Sequence, residues 1–581
     1  MTSPLVLPVP GGSVADSVRA LVEALTDASD STVVVAADLI VAPAALAPVT
    51  QDRFAGTSML VRPSGRSGNV RVRHHLVTSV GSGSHDVTAP DHVSIGALVI
   101  SAKDATRARS ELSGLVDVLA SGALQSDGHD VVELVAAALV RGEVAVKAVD
   151  LVDVPWFRSP DDTEAAHAAT REISDDRIAR LQANRVDDGF YSTFVVRRLS
   201  KPLTRVALRL GLSPNTVTVM SFIIGLAAAA AFAVGERWGL VLGAVLLQLS
   251  LIVDCVDGEV ARATRRFTAV GAWLDASTDR VKEFLAYAGL AYGASRFGIG
   301  LWWIAVVLVV VQTTRHMTDY DFSRIQRMRE AHVPRISLCQ RDDGAAGSAG
   351  GWSVAGAMEF STRINRRDAV RWAKRALHMP IGERWLVISV LAAVLGAAWA
   401  LGGLLVLGLV AFTYVIAGRT LRSLTWHGHT PAAGVTFLRR QSDSGPLLAL
   451  VSELAMPRSR PRMWTGRFAW AIPAVLRFVE LAVVAAIAFI WVPAAIPVAF
   501  WWMAVVAFHH YDTLYRAMQD AAAPRWLTWL SLGWDGRTIL VVVLASVGVL
   551  VAGLTWATWL LAAVVVVAAS VQWLLVQRRQ S

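Results

Sequence analysis

From residue 190 to the end, apolar residues come in long runs separated by short stretches rich in arginine or aspartate. Runs of roughly 17 to 25 apolar residues are long enough to span a bilayer as helices. They predict about ten spans, near 215–234, 238–257, 268–294, 298–315, 385–401, 403–418, 469–490, 492–508, 538–554 and 556–576. Residues 1 to about 180 follow a different pattern. STVVVAADLIV (31–41) reads as a buried strand ending at Asp38, and VSIGALVIS (93–101) and EVAVKAVDLVDV (143–154) read as further strands. Amphipathic helical stretches such as ARSELSGLVDVLASGAL (108–124) lie between them, so a soluble α/β domain with a mainly parallel sheet is expected. The polar stretch 159–189 reads as helical. FYSTFVVRRLSKPLTRVALRLG (190–211) mixes Arg197, Arg198, Lys201, Arg205 and Arg209 with apolar residues and reads as a helix lying at the membrane surface.

Composition supports this division. Hydrophobic residues make up 54% of the 581-residue chain and charged residues only 17%, against about 25% charged in a soluble domain. The net charge of +9 does not point to nucleic acid, because no recognition motif accompanies it. Instead the arginines flank spans: Arg262, Arg266, Arg315, Arg419, Arg422, Arg516 and Arg578 fall on one side, and little beyond Glu236, Arg237 and Arg296 falls on the other. The positive-inside rule then expects a multi-pass protein of the cell membrane with both termini cytoplasmic. The two cysteines, Cys255 and Cys339, make no disulfide framework or cysteine-based metal site. The opening MTSPLVLPVPGGS has no basic n-region and no apolar core, so no signal peptide is expected.

The segment DCVDGEVARATRRFTAVGAWLDASTD (254–279) places four aspartates at the ends of two spans. Asp254 and Asp257 share a helix face, as do Asp275 and Asp279. Each aspartate in a membrane helix costs about 2.5–3.5 kcal/mol on insertion scales. Gathered carboxylates bind hard divalent cations such as Mg²⁺ or Mn²⁺, and two facing pairs suit two ions and displacement at phosphorus. The competing reading is neutralisation by Arg262, Arg265, Arg266, Arg280 and Lys282. A transporter or ion-binding scaffold is a further alternative, but transporters often show internal repeats and none is evident.

The spacing Asp254-x2-Asp257-Gly258-x2-Ala261-Arg262-x8-Gly271-x3-Asp275-x3-Asp279 resembles the signature of the CDP-alcohol phosphotransferase family. The resemblance covers about residues 190–424. It implies a six-helix membrane unit in which a hydroxyl of an acceptor alcohol attacks the β-phosphorus of a CDP-alcohol and releases CMP. By that resemblance Asp254, Asp257 and Asp275 are metal ligands, and Asp279 is the general base and also counts among the ligands. Gly258 and Ala261 leave room for cytidine and diphosphate, Gly271 permits close helix packing, and Arg262 either contacts phosphate or pairs with an aspartate. LSPNTVTVMSF resembles the family's Pro-Asn-x-x-Thr opening, which puts Pro214, Asn215 and Thr218 near the nucleotide. HMPIGERWLVIS (378–389) resembles a segment bordering the acceptor pocket, where Arg384 would hold an anionic acceptor; a helix-capping role for Glu383 and Arg384 is the other reading. The implied donor is CDP-diacylglycerol or a soluble CDP-polyol, and the acceptor a polyol or polyol phosphate such as inositol phosphate. Dimers are common in the family, which allows a homodimer.

The expected domains are 1–180, 181–211 as linker and surface helix, 212–424 as the phosphotransferase unit, and 425–581. The first resembles sugar-phosphate nucleotidyltransferases, such as precede this membrane unit in bifunctional enzymes. It lacks the family's Gly-rich loop with Arg and Lys and a late metal-binding aspartate at Phe157 or Arg158, so a degenerate domain is expected, with Asp38 as a surviving ligand or a structural residue. In the last, HHYD (509–512) and GWDGR (533–537) are expected at the membrane interface, with metal binding by His509, His510 and Asp512 as the alternative.

Overall fold

The structure is a computed structural model and describes residues 5–580 apart from 9–11, 27–29, 48–55, 65–67, 74, 125–129, 183–188, 265, 267, 332–334, 344–367, 427, 446–461 and 520. The chain packs as two units, one formed by Met1–Asn184 with Gln326–Ala349, the other by Arg185–Ile325 with Gly350–Ser581.

The first unit holds β1 (Leu5–Leu7), α1 (Val14–Ala24), β2 (Thr32–Ala36), β3 (Leu39–Val41), β4 (Ser58–Pro63), β5 (Val70–Arg73), β6 (Leu76–Val80), β7 (His92–Ile100), α2 (Ala105–Ala120), α3 (Val131–Arg141), β8 (Lys147–Asp150), β9 (Trp156–Arg158), α4 (Thr163–Arg171) and α5 (Asp175–Gln182). Seven strands form one sheet in the order β1-β2-β7-β4-β8-β6-β5, and β3 pairs with β9. The sheet is mixed, where a mainly parallel one was expected. β1–β2 and β4–β8 are parallel, but β7 runs antiparallel to both β2 and β4. One source of the mixing is local: β5 and β6, only two residues apart, pair antiparallel, as a hairpin-length connection requires. The expected strand 31–41 breaks at Ala37–Asp38. Leu112, Leu115, Val135 and Leu139 of α2 and α3 bury one sheet face, and Ile178 of α5 packs on the other. The segment 335–343 belongs to this unit: the buried Arg141 guanidinium donates to the carbonyls of Ser337 and Gln340, and Asp343 pairs with Arg71 at 2.7 Å.

The second unit is helical: α6 (Arg197–Arg209), α7 (Pro214–Val234), α8 (Arg237–Thr264), α9 (Ala269–Ser295), α10 (Trp302–Ala331), α11 (Asp368–Leu377), α12 (Ile381–Val394), α13 (Ala397–Leu424), α14 (Ala432–Arg440), α15 (Ile472–Ile490), α16 (Ile496–Met518), α17 (Arg525–Leu530), α18 (Gly533–Ser546) and α19 (Leu550–Gln580). Seven helices among the described residues are long and apolar enough to cross a membrane, which fits a multi-pass helical membrane protein. Three expected spans differ. Span 268–294 is helix α9, which carries Asp275, Asp279, Arg280, Lys282 and Glu283; span 298–315 is the start of a helix that runs to Ala331; and span 385–401 is broken at Gly396, where φ is +102°. That break leaves α12 with 14 residues. A second break falls at Gly548, φ +75°, rather than near 555.

Local signals build the core of this unit. Ser213 caps α7 by accepting from the Thr216 amide, and Pro214 occupies the first turn, where its missing N–H costs nothing. Thr268 caps α9 by accepting from the Gly271 amide at 2.9 Å. A Cβ at Gly289 or Gly293 would lie 2.4 or 2.3 Å from a carbonyl oxygen of α7, Ala229 or Phe232. Glycine there lets α7 and α9 cross with backbones in contact.

Candidate metal centre

Helix α8 runs unbroken through Asp254 and Asp257, and four residues separate its end from the start of α9. The short connection turns the two aspartate pairs toward each other. Oxygens of Asp254, Asp257 and Asp275 lie within 4.8 Å of one another, forming a cluster able to hold a metal ion. Three carboxylate oxygens suit a hard divalent cation.

The cluster is held by neutral and cationic donors. Thr218 of α7 donates to Asp257 at 2.5 Å, and Ser221, one turn on, donates to Asp254 at 3.1 Å. Lys282 is fully buried, with its ammonium 2.6 Å from Asp254, 3.0 Å from Asp279 and 2.9 Å from Ser221. Asp279 is thus tied to the cluster through a shared cation. From the sequence alone Lys282 reads only as a general neutraliser. Its signal was its i+3 spacing from Asp279, together with Gly225 on α7, where a Cβ would lie 2.7 Å from the lysine Cγ and Cδ.

The remaining expected residues divide. A Cβ at Gly271 would lie 2.9 Å from the Asn215 side-chain oxygen, so these two motif positions adjoin at the head of α7. Pro214 shapes the same turn. A Cβ at Gly258 would lie 3.2 Å from Nη1 of Arg262, one turn further along α8, with Ala261 half-buried beside it. Thr218 faces Asp257. Arg384 is buried, and its guanidinium meets Glu283 at 2.7 and 3.0 Å and the Met379 carbonyl at 2.9 Å. Glu383 accepts from the Tyr191 amide at 3.1 Å. Glu259, unremarked in the sequence, is buried and gathers Arg197, Ser200 and Thr204 of α6 at 2.9, 2.8 and 2.5 Å. It pins α6 to α8, while Arg198, Lys201, Arg205 and Arg209 stay exposed.

In the first unit Asp38 accepts from Arg158 Nε at 2.8 Å and from Ser159 at 2.7 Å, and Arg158 also pairs with Asp130. A guanidinium therefore sits among these carboxylates. Glu133 lies close by, accepting from Asn69 at 2.6 Å; burial, then the Asp130 charge, push its carboxyl up to about 7. In the C-terminal helices His509, His510 and Asp512 are at most 1% exposed, which corrects the interfacial reading. His509 meets Asp443 at 3.2 Å, His510 meets Glu480 at 2.9 Å, and Asp512 meets Arg516 at 2.6 Å. Salt-bridged polar groups on facing helices satisfy one another here, so none needs the interface.

The second unit is that of a multi-pass helical membrane protein with a buried aspartate cluster between two of its helices. Residues 212–334 match the CDP-alcohol phosphatidyltransferase family, and residues 444–580 match a family of unknown function (DUF5941). The chain is 39% identical over 108 residues to a bifunctional IPC transferase and DIPP synthase of Aquifex aeolicus, covering 18% of this chain and 24% of that protein. It is 33% identical over 132 residues to a phosphatidylinositol phosphate synthase of Mycolicibacterium smegmatis, covering 22% and 57%. To a bifunctional IPC transferase and DIPP synthase of Thermococcus kodakarensis it is 29% identical over 184 residues, covering 32% and 39%. The chain thus spans 24–57% of the length of these relatives.

Proposed function

We propose that the protein transfers a phosphatidyl group from CDP-diacylglycerol to a hydroxyl of a polyol phosphate such as inositol phosphate, releasing CMP. The convergence of Asp254, Asp257 and Asp275, with Asp279 beside them on Lys282, carries this reading. Relatives named phosphatidylinositol phosphate synthase and archaetidylinositol phosphate synthase support the acceptor class. Asp254, Asp257 and Asp275 would hold Mg²⁺ or Mn²⁺, two ions in all with Asp279, and the metal would neutralise the diphosphate and the departing CMP. Asp279 accepts the proton of the attacking hydroxyl as its oxygen bonds to the β-phosphorus and the bond from that phosphorus to the CMP oxygen breaks. Lys282 holds Asp279 and Asp254 in place. Asn215 and Gly271 border the nucleotide, with Pro214 setting the turn, and Gly258, Ala261 and Arg262 line its other side. Arg384 would hold an anionic acceptor, with Glu283 fixing its guanidinium.

The first unit is a degenerate nucleotidyltransferase-like domain in this reading. The Arg158 guanidinium between Asp38 and Asp130 supports it, since a fixed cation stands among the carboxylates. The bifunctional relatives favour a second donor, a soluble CDP-polyol, for the same chemistry.

The test is CMP release by detergent-purified protein with Mg²⁺ or Mn²⁺ and CDP-diacylglycerol, with and without inositol phosphate, beside Asp279→Asn. Acceptor-dependent release that falls at least about a hundredfold in the variant is expected. Release only from a CDP-polyol would move the donor to the second reading. No release from any CDP-alcohol would leave a non-catalytic ion-binding membrane protein.

A further inference from the structure

Helix α9 is polar on two opposite faces. Asp275, Asp279 and Lys282 point to α7 and α8. Trp273, Arg280 and Tyr287, at seven-residue spacing, share the other side. That side is met by helices of the C-terminal region. Trp273 stacks on Trp573 of α19 with ring centroids 5.5 Å apart. The Trp573 indole N–H donates to Asp512 of α16 at 3.0 Å, and Asp512 is held by Arg516. Next to Asp512, Tyr511 of α16 lies under the Arg280 guanidinium at 5.8 Å from its ring centre, and its hydroxyl is 2.8 Å from His316 Nδ1 of α10. His316 Nε2 is 3.1 Å from Arg280, Arg280 is 3.0 Å from Glu283, and Glu283 continues to Arg384. Tyr515 of α16 meets Tyr320 of α10 at 3.0 Å. This continuous buried chain starts in the region of unknown function and ends on the residue next to Asp279.

We propose that the C-terminal helices serve the reaction as a brace, with Tyr511 and Trp573 as positioning residues that fix the rotation of α9 and hence Asp275 and Asp279. Neither touches the aspartates; both act through Arg280 and Trp273. The inference rests on the phosphotransferase reading for its kinetic test, but not for its binding test.

The experiment uses the full chain in detergent and compares wild type with Tyr511→Leu, Tyr511→Phe and Trp573→Phe, each normalised to folded protein by size exclusion. Two quantities are read: kcat and donor KM for CMP release, and Mn²⁺ affinity by equilibrium dialysis. A misplacement near 1 Å costs about a hundredfold in rate. Tyr511→Leu should therefore lower kcat about ten- to a hundredfold, leave donor KM within about threefold, and weaken Mn²⁺ binding severalfold. Tyr511→Phe keeps the ring under Arg280 and should recover most of both. Trp573→Phe keeps stacking and should behave likewise. Variants that yield less folded protein but match wild type in kcat and Mn²⁺ affinity per folded molecule would overturn the brace and leave the phosphotransferase standing. If wild type releases no CMP, the phosphotransferase reading fails, and the Mn²⁺ measurement alone decides the brace: affinity unchanged in Tyr511→Leu overturns it, affinity lost and regained in Tyr511→Phe supports it.

Discussion

Gly225→Ala is a small change with a sharp expected effect. Gly225 sits inside α7 with ordinary helical backbone, so alanine should favour the helix itself by about 1 kcal/mol. But its Cβ would lie 2.7 Å from both Cγ and Cδ of Lys282, and 3.3 Å from Ser250 Oγ. Restoring ordinary contact requires the lysine stem to retreat by roughly 0.7 Å. The stem is not free to do so, since its ammonium is held by Asp254, Asp279 and Ser221. Overpacking of this kind costs about 1–3 kcal/mol, so the net loss of stability stays within about 2 kcal/mol and folded protein is still obtained. The catalytic cost is larger. A carboxylate shifted with the lysine should lower kcat about tenfold, by the sensitivity of rate to sub-ångström placement. The assay is CMP release at saturating donor and acceptor, with Gly402→Ala as control, because nothing lies within 4 Å of a Cβ there. Wild-type kcat in Gly225→Ala would refute the confinement of Lys282. Wild-type kcat in Lys282→Met as well would refute any role for the ammonium.

Other outcomes follow from single contacts. Thr218→Val removes the 2.5 Å donor to Asp257, and the Mn²⁺ concentration for half-maximal activity should rise about tenfold; a rise confined to donor KM would show instead that Thr218 serves the nucleotide. Glu133 has its carboxyl raised from 4.5 to about 7. The folded state thus holds its proton more tightly than the unfolded state, and the first unit should lose stability as pH rises from about 4.5 to 7, by up to about 3 kcal/mol. Glu133→Gln should flatten that slope in the calorimetric transition of this unit, and an unchanged slope would count against the burial argument. Arg158→Ala leaves Asp38 and Asp130 without their shared cation, so the same transition should fall by about 1–3 kcal/mol, read by calorimetry at pH 8.

Much of the second unit was legible because its signals are local. Span length, the Ser213-Pro214 start and the aspartate spacing are each set within one or two helices. Two breaks were misplaced because Gly396 and Gly548 lie inside apolar runs that continue on both sides, and apolarity alone does not mark a turn. The antiparallel setting of β7 was invisible for a similar reason: a buried strand is apolar in either direction. Lys282 illustrates a different limit. Its charge suggested a solvated neutraliser, and only the crossing of α7 over α9 at Gly225 shows the ammonium enclosed. The partners of Arg384 and His510 lie 101 and 30 residues away, beyond any local pattern.

Charge on α9 separates what holds the fold from what awaits a ligand. Asp275, Asp279, Arg280, Lys282 and Glu283 occupy nine residues of one helix, and each such charge costs about 2.5–3.5 kcal/mol in a bilayer unless met. On the brace side, Arg280 and Arg384 against Glu283 leave one surplus positive charge, placed beside the Tyr511 ring and the His316 nitrogen. On the site side, Asp254 and Asp279 share the ammonium of Lys282, and oxygens of Asp254, Asp257 and Asp275 lie within 4.8 Å of one another. In the C-terminal helices the buried carboxylates meet a cation directly: Asp443 and Glu480 share Arg537 at 2.7 and 2.6 Å. Three carboxylate oxygens held as close as those of Asp254, Asp257 and Asp275 repel one another, and bound divalent cations would supply the charge that offsets them.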